Sequence, residues 1–112
     1  MDKKIRIAVD AMGGDGSPKK IIDGISDHNK KSKNIHYLIF GDKEIILKHI
    51  PKTLHNHCYE IIDTKDCVDG KDTPLEAAKR GKNTSMWLSI ESVKENKADI
   101  VISAGNTGAL LV

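Results

Sequence analysis

The chain has 112 residues, of which 30% are charged and 38% are hydrophobic. Lysine and arginine number 18 against 16 for aspartate and glutamate, and only 4% of residues are aromatic. This balance predicts a soluble globular domain and excludes a strongly basic nucleic-acid surface or a disordered tail. No apolar run approaches membrane-spanning length and no signal peptide precedes the first strand pattern, so a cytosolic location is expected.

Apolar runs that predict strands alternate along the chain with patterns that predict helices. The predicted strands are residues 5–9, 35–40, 58–62 and 98–102, and the predicted helices are residues 18–28 (N-cap Ser17), 42–50 (N-cap Asp42), 75–80 and 84–96 (N-cap Thr84 or Asn83). Strands that alternate with helices indicate an α/β fold with a mostly parallel sheet and right-handed crossovers. No linker or repeat divides the chain, so residues 1–112 are expected to lie in a single domain.

The two cysteines, Cys58 and Cys67, lack the spacing of a CxxC motif. They are interpreted as reduced thiols without a specific function. His55 and His57 precede Cys58, but no second pair of ligands follows at zinc spacing. We interpret them as polar loop residues, and no metal is expected.

A glycine-rich turn, DAMGGDG, follows the first strand pattern at residues 10–16. Gly13 and Gly14 allow the backbone to approach a ligand closely, and Asp10 and Asp15 place carboxyl groups at the rim. The turn matches neither GxGxxG nor GxxxxGK[ST], which disfavours ordinary NAD or ATP binding. On its own it is better explained as a tight connection between a strand and a helix.

A second turn, SAGNTGAL, follows the last strand pattern at residues 103–110. Gly105 and Gly108 open the backbone, while Ser103, Asn106 and Thr107 supply hydrogen-bond donors. The start of a helix favours negative charge, so this turn suits a phosphate group. The alternative is that Ser103 or Asn106 only caps a helix.

A basic segment precedes the predicted helix at 84–96 and contains Lys79, Arg80 and Lys82. Most charge runs are solvated surface, but this one lies at a helix N-terminus. It is therefore a candidate contact for an acidic partner or a phosphorylated group.

Together, three stretches resemble the bacterial phosphate acyltransferases of phospholipid synthesis, also called acyl-carrier-protein:phosphate transacylases. The stretches are IRIAVDAMGGD (5–15), TPLEAAKRGKNTSM (73–86) and ADIVISAGNTGALL (98–111). The resemblance implies a Rossmann-like, three-layer α/β/α fold and a homodimer. It also implies transfer of a fatty acyl group from acyl carrier protein to inorganic phosphate without a cofactor, and association with the membrane glycerol-3-phosphate acyltransferase that uses acyl phosphate.

Carried over by position, the resemblance implies a set of residues that bind phosphate or line its cleft: Asp10, Gly13, Gly14, Asp15, Ser103, Gly105, Asn106, Thr107 and Gly108. By the same resemblance, Lys79, Arg80 and Lys82 face the carrier protein. The family commonly has histidine and alanine after Gly-Gly-Asp, where this chain has Gly16 and Ser17. Family members are several-fold longer, and the residues usually credited with catalysis, including a lysine, are expected beyond Val112. No catalytic residue is therefore assigned.

Two other interpretations stay open. The chain could be a non-catalytic, truncated remnant of such an enzyme, or a small α/β module that only binds an anion. A receiver-like domain is disfavoured, because the paired acidic residues expected after the first strand are missing even though Asp63 ends the third.

Overall fold

The computed structural model of the protein describes residues 4–12, 16–32, 34–64 and 84–103. Its elements are β1 (Ile5–Asp10), α1 (Lys19–Lys31), β2 (Ile35–Gly41), α2 (Lys43–His49), a 3₁₀ turn (Asn56–Cys58), β3 (Tyr59–Asp63), α3 (Ser85–Lys94) and β4 (Ile100–Ser103). The four predicted strands are confirmed with bounds that differ by at most two residues. The predicted helix at 75–80 lies outside the described residues, as does Cys67.

The four strands form one parallel sheet in the order β3-β2-β1-β4. The chain steps from β1 to β2 to β3 in one direction and then returns to add β4 on the other side of β1. The strand order therefore reverses between β1 and β4, and open parallel sheets bind ligands at the carboxyl ends of strands at such a reversal. The predicted parallel α/β sheet is confirmed.

Helices cover both faces of the sheet, and each face has its own core. The core beneath α1 and α2 contains Ile7, Val9, Ala11, Ile22, Ile25, Ile35, Tyr37, Ile39, Ile46 and Leu54. The core beneath α3 contains Ala8, Leu38, Phe40 and Ala98, with Leu88 and Val93 of α3 packed against it. Strands buried on both faces explain why β1 and β2 are almost continuously apolar.

The start of α1 differs from the prediction. Pro18, not Ser17, occupies the N-cap position, and the Pro18 side chain makes no capping hydrogen bond. Instead, the carbonyls of Gly16 and Pro18 accept the first bonds, from the amides of Lys20 (3.1 Å) and Ile22 (3.0 Å). Pro18 has a helical backbone conformation, φ −86° and ψ −8°. The turn before α1 therefore provides carbonyl acceptors for the first amides of the helix.

The predicted caps of α2 and α3 are confirmed. The Asp42 side chain accepts from the amide of Glu44 at 3.1 Å, and Thr84 Oγ1 accepts from the amide of Trp87 at 3.1 Å. A carboxyl at the end of β3 also helps α2, because Asp63 Oδ1 accepts from the amide of Lys43 at 3.0 Å. Each bond satisfies an amide that has no partner within its own helix.

The buried face of α3 is lined by serines, which the apolar spacing did not predict. Ser85, Ser89 and Ser92 are buried beside Met86, whereas the predicted inward residue Ile90 is only half-buried. Ser89 Oγ donates to the Met86 carbonyl at 2.8 Å, and Ser92 Oγ donates to the Ser89 carbonyl at 2.6 Å. Because these hydroxyls are satisfied within the helix, small side chains can lie against the sheet without exposing unpaired polar groups.

An ion pair joins the amino-terminal ends of β1 and β4. Arg6 Nη2 donates to Asp99 Oδ1 at 3.1 Å and Arg6 Nε to Asp99 Oδ2 at 3.4 Å. The backbone of Arg6 takes part as well: its amide donates to the Asp99 side chain at Oδ2 (2.8 Å), and its carbonyl accepts from the Asp99 amide at 2.7 Å. This pairing sets the register of β4 on β1 at the end opposite the candidate site.

None of the helices within the described ranges combines the length and apolar character needed to cross a bilayer.

Candidate functional site

The carboxyl group of Asp10 accepts three hydrogen bonds at the reversal of strand order. Oδ1 accepts from Ser85 Oγ at 2.6 Å and from the amide of Met12 at 3.1 Å. Oδ2 accepts from Ser103 Oγ at 2.9 Å. Both oxygens of this side chain therefore have donors.

These donors come from three different segments of the chain. Ser85 is the first residue of α3, Ser103 is the last residue of β4, and Met12 lies in the turn after β1. Asp10 and Ser103 are direct partners in the register of β1 and β4. We name Asp10, Ser85 and Ser103 the carboxyl–hydroxyl cluster. It joins the ends of β1 and β4 to the start of α3.

Asp10 is only 1% exposed. Removing a carboxyl group from water is costly unless hydrogen bonds replace its hydration, and the three donors provide that replacement. The positive end of the α3 dipole also favours an acidic group at this place. Because the Asp10 side chain is buried and both of its oxygens accept hydrogen bonds, it holds the ends of β1 and β4 and the start of α3 in fixed relative positions.

The hydroxyl of Ser103 has one proton, and it is directed at Asp10. A serine hydroxyl can donate only once, although its oxygen can also accept. While this bond is present, Ser103 cannot donate to a bound anion.

A close contact ties the turn after β1 to the end of β2. A Cβ atom on Gly41 would lie 2.7 Å from Met12 Cγ and 2.9 Å from Ile46 Cδ1. The amide of Ala11 also donates to the Phe40 carbonyl at 3.0 Å. The absence of a side chain at Gly41 lets the Met12 side chain pack on β2, which positions the start of the glycine-rich turn.

The structure brings together two of the residues that the sequence nominated, Asp10 and Ser103. The other nominated residues lie outside the described ranges: Gly13, Gly14, Asp15, Lys79, Arg80, Lys82, Gly105, Asn106, Thr107 and Gly108. Ser85 was not among the nominated residues, and its bond to Asp10 was not predicted. Its position in the first turn of a helix after a basic segment was the only signal.

The amino-acid sequence matches a known protein family and several curated relatives. The model of the family described as Fatty acid synthesis protein matches residues 5–112. A relative from Pelagibacter ubique (strain HTCC1062), named Phosphate acyltransferase, is 69% identical over 112 residues, which cover 100% of this chain and 33% of the relative. A relative of the same name from Bacillus subtilis (strain 168) is 42% identical over 107 residues, covering 96% of this chain and 32% of the relative.

A third relative, from Methylocella silvestris and also named Phosphate acyltransferase, is 42% identical over 120 residues and is covered to 31% of its length. The chain thus spans about a third of the length of the curated relatives it matches. Because the family model covers nearly all of these 112 residues, the chain belongs to the Fatty acid synthesis protein family, and its sequence corresponds to part of a phosphate acyltransferase.

Proposed function

We propose that this chain is the part of an acyltransferase that holds inorganic phosphate while a fatty acyl group is transferred to it from acyl carrier protein. The observation that supports this most is the carboxyl–hydroxyl cluster, which lies where β1 and β4 end, at the reversal of strand order. Asp10 and Ser103 are also the first residues of the two glycine-bearing stretches of the sequence. The relatives are named Phosphate acyltransferase, and this name supports transfer of an acyl group to phosphate as the proposed reaction.

In the proposed reaction, a phosphate oxygen attacks the carbonyl carbon of the acyl thioester. A carbon–oxygen bond forms, the carbon–sulfur bond breaks, and the carrier thiolate leaves to be protonated. The protein has to hold phosphate in line with the carbonyl and stabilise the oxyanion that develops. Backbone N–H groups in a glycine-rich turn at a strand end suit that requirement.

Asp10 is proposed to position these turns without touching phosphate. Both of its oxygens already accept hydrogen bonds, and a second negative charge in direct contact would be repelled. Ser103 is assigned a similar role, because its proton is directed at Asp10 and its place at the end of β4 sets where the next turn begins.

The direct phosphate ligands are proposed to be the backbone and side chains of the two turns. They are Gly13, Gly14, Gly105, Asn106, Thr107 and Gly108, with Asp15 at the rim. Lys79, Arg80 and Lys82 are proposed to meet the acidic carrier protein, since opposite charge steers such encounters. A homodimer and an association with the membrane acyltransferase that uses acyl phosphate are further parts of this proposal, as is a cytoplasmic location.

The test combines this chain with a second polypeptide, the portion of the Pelagibacter ubique relative that lies outside the matched region. Acyl carrier protein loaded with a fatty acid and inorganic phosphate are supplied, and acyl phosphate is trapped with hydroxylamine. We expect hydroxamate that depends on phosphate and on both polypeptides. Loss of the Ser85 hydroxyl in Ser85→Ala should raise the KM for phosphate more than Ser89→Ala does, because Ser85 donates to Asp10 whereas Ser89 donates within its own helix.

Two results would count against the proposal. Binding of phosphate without any acyl transfer by the combined polypeptides would favour a module that only binds an anion. Neither binding nor transfer, with both polypeptides folded by circular dichroism, would favour a non-catalytic remnant.

A further inference from the structure

Within the described ranges, no element covers β4 on the face of the sheet that α1 covers. Ile100 and Ile102 point to this face, in register with Ile7 and Val9 of β1. Yet Ile100 is 49% exposed and Ile102 is 50% exposed, whereas Ile7 and Val9 are buried. The core beneath α1 therefore stops at β1 and leaves two isoleucines of the neighbouring strand in contact with solvent.

Between α1 and β4 this open face forms an apolar groove of about 350 Å³. We name it the α1–β4 groove; its apolar lining includes Ile7, Val9, Ile21, Ile25 and Ile102. Lys20 and His28 also line it, one turn of α1 to either side of Gly24. Such a groove has the composition of a packing surface between elements, with a cation available at its margin.

Gly24 lies on the wall of the groove formed by α1. Apart from the adjacent residues and the backbone of α1 itself, a Cβ atom at this position would meet nothing within 4 Å. A glycine in the middle of a helix costs about 0.5–1 kcal/mol relative to alanine, so packing inside the described ranges does not account for it. A small residue on a helix surface allows another helix to approach to about 8–10 Å between axes.

We propose that the α1–β4 groove is the docking surface for an amphipathic helix from the part of the acyltransferase polypeptide that this chain does not include. The relatives supply that part, since 67% of the length of the Pelagibacter ubique relative lies outside the match, which covers 33% of it. Parallel sheets in α/β proteins are covered by helices on both faces. A helix along β4 would bury Ile100 and Ile102 and pack beside Gly24.

Charge and shape favour a docked helix over two other occupants, a second copy of this chain and a fatty acyl chain. Lys20 at the margin favours an acidic side chain on the polar flank of the docked helix. A second copy of this chain would bring another Lys20 to a symmetric contact. The groove is also open to solvent at Ile102, which is 50% exposed, and this suits side chains inserted from above better than an enclosed fatty acyl chain. The inference does not depend on acyl transfer, because docking is measured as binding.

The test titrates this chain with the complementary polypeptide from the relative and follows complex formation by isothermal calorimetry. Ile102→Glu should weaken binding by at least about tenfold, because a charge would be buried beneath the helix. Leu47→Glu is the matched control: Leu47 is also 50% exposed but lies on α2, away from the groove. It should leave the Kd within about twofold of the unchanged chain.

A second pair of variants at Gly24 avoids any charge in the sheet. Gly24→Leu should weaken binding by about tenfold by filling the groove, while Gly24→Ala, which adds one methyl group, should weaken it clearly less. Circular dichroism of each variant verifies that the chain is folded. If Ile102→Glu unfolds the chain, the two Gly24 variants test the inference: Gly24→Leu should bind the complementary polypeptide clearly more weakly than Gly24→Ala.

Three results would overturn the inference. The first is equal binding by the groove variants and the unchanged chain. The second is loss of self-association in Ile102→Glu with unchanged binding of the complementary polypeptide, which would assign the groove to a second copy. The third is competition between a fatty acyl thioester and the complementary polypeptide, relieved by Gly24→Leu, which would assign it to the acyl chain.

Discussion

The hydroxyl of Ser85 donates a 2.6 Å hydrogen bond to Oδ1 of Asp10, a residue 75 positions earlier in the chain. This bond links the first turn of α3, which covers one face of the sheet, to the end of β1. Since Ser103 bonds the other oxygen, one buried carboxyl group sets the relative positions of three elements.

Replacing Ser85 with alanine should lower the free energy of unfolding by about 1.5–3 kcal/mol, because it removes a buried hydrogen bond to a carboxyl group. Ser89→Ala is the control, since Ser89 is equally buried but bonds only its own helix. Its effect should be smaller, because alanine is the better helix former. Urea unfolding of both variants measures the difference, and equal losses would show that the bond to Asp10 adds nothing specific.

Asp10 should tolerate an amide better than a methyl group. In Asp10→Asn, the amide oxygen can keep the Ser85 and Met12 donors, and Ser103 can rotate to accept from the new N–H. Asp10→Ala leaves all three donors buried without an acceptor, so we expect it to cost about 2–4 kcal/mol of unfolding free energy and the amide variant about half of that.

The same unfolding measurement on Asp23→Ala provides a surface reference for Asp10. Asp23 is 55% exposed and pairs with Lys19 at 2.8 Å on the outside of α1, so little change is expected. An Asp10→Asn variant as unstable as Asp10→Ala would mean that the negative charge, more than the set of hydrogen bonds, is what the site requires.

Two glycine-to-alanine changes should have opposite signs. Gly41→Ala places a methyl group against Met12 and Ile46 and should destabilise the protein by about 1–3 kcal/mol. Gly24→Ala meets no atom within 4 Å and should stabilise α1 by about 0.5–1 kcal/mol. Thermal unfolding of the two variants tests both signs, and a stable Gly41→Ala would show that Met12 can move aside at no cost.

Local patterns were sufficient to predict much of this fold. The strands of the sheet are apolar runs, and Asp42 and Thr84 cap helices by contacts within three residues of themselves. Such features depend on neighbouring residues, so the sequence shows them directly. The start of α1 was mispredicted by one residue. Pro18 occupies the N-cap position that was predicted for Ser17, and the Gly16 carbonyl accepts the hydrogen bond from the amide of Lys20.

The long-range contacts of the site could not be read from the sequence. The bond from Ser85 to Asp10 depends on how α3 lies across the sheet, and the fit of Met12 on Gly41 depends on the strand register. Helix packing angles and side-chain rotamers decide such contacts. The serines on the inner face of α3 were missed for a related reason, since small polar residues are buried only when their hydroxyls find partners.

The Arg6–Asp99 pair should contribute a stability that falls with added salt. Its side chains are 30% and 37% exposed, and two guanidinium–carboxylate bonds hold β4 on β1. Asp99→Asn should cost about 1 kcal/mol at low ionic strength and less in molar salt, because screening weakens partly exposed charges. Urea unfolding at two salt concentrations measures this. A cost independent of salt would assign the effect to the hydrogen bond that the Arg6 amide donates to the side chain at position 99.

Tyr37 should make stability depend on alkaline pH. Burial, and to a smaller extent the Cys58 thiol, raises the pKa of Tyr37 from its ordinary value of 10.0. The folded chain therefore keeps the phenolic proton to a higher pH than the unfolded chain does. The stabilisation is complete below the unfolded pKa and is lost as the pH rises through the folded one.

The Tyr37 hydroxyl lies 2.7 Å from His28 Nδ1, so Tyr37→Phe should also cost about 1 kcal/mol at neutral pH. Above about pH 10, stability should fall less steeply in the variant than in the unchanged chain. The remaining tyrosine, Tyr59, serves as the spectroscopic reference when tyrosinate absorbance is titrated. Parallel pH profiles of unfolding free energy in the two proteins would contradict the prediction.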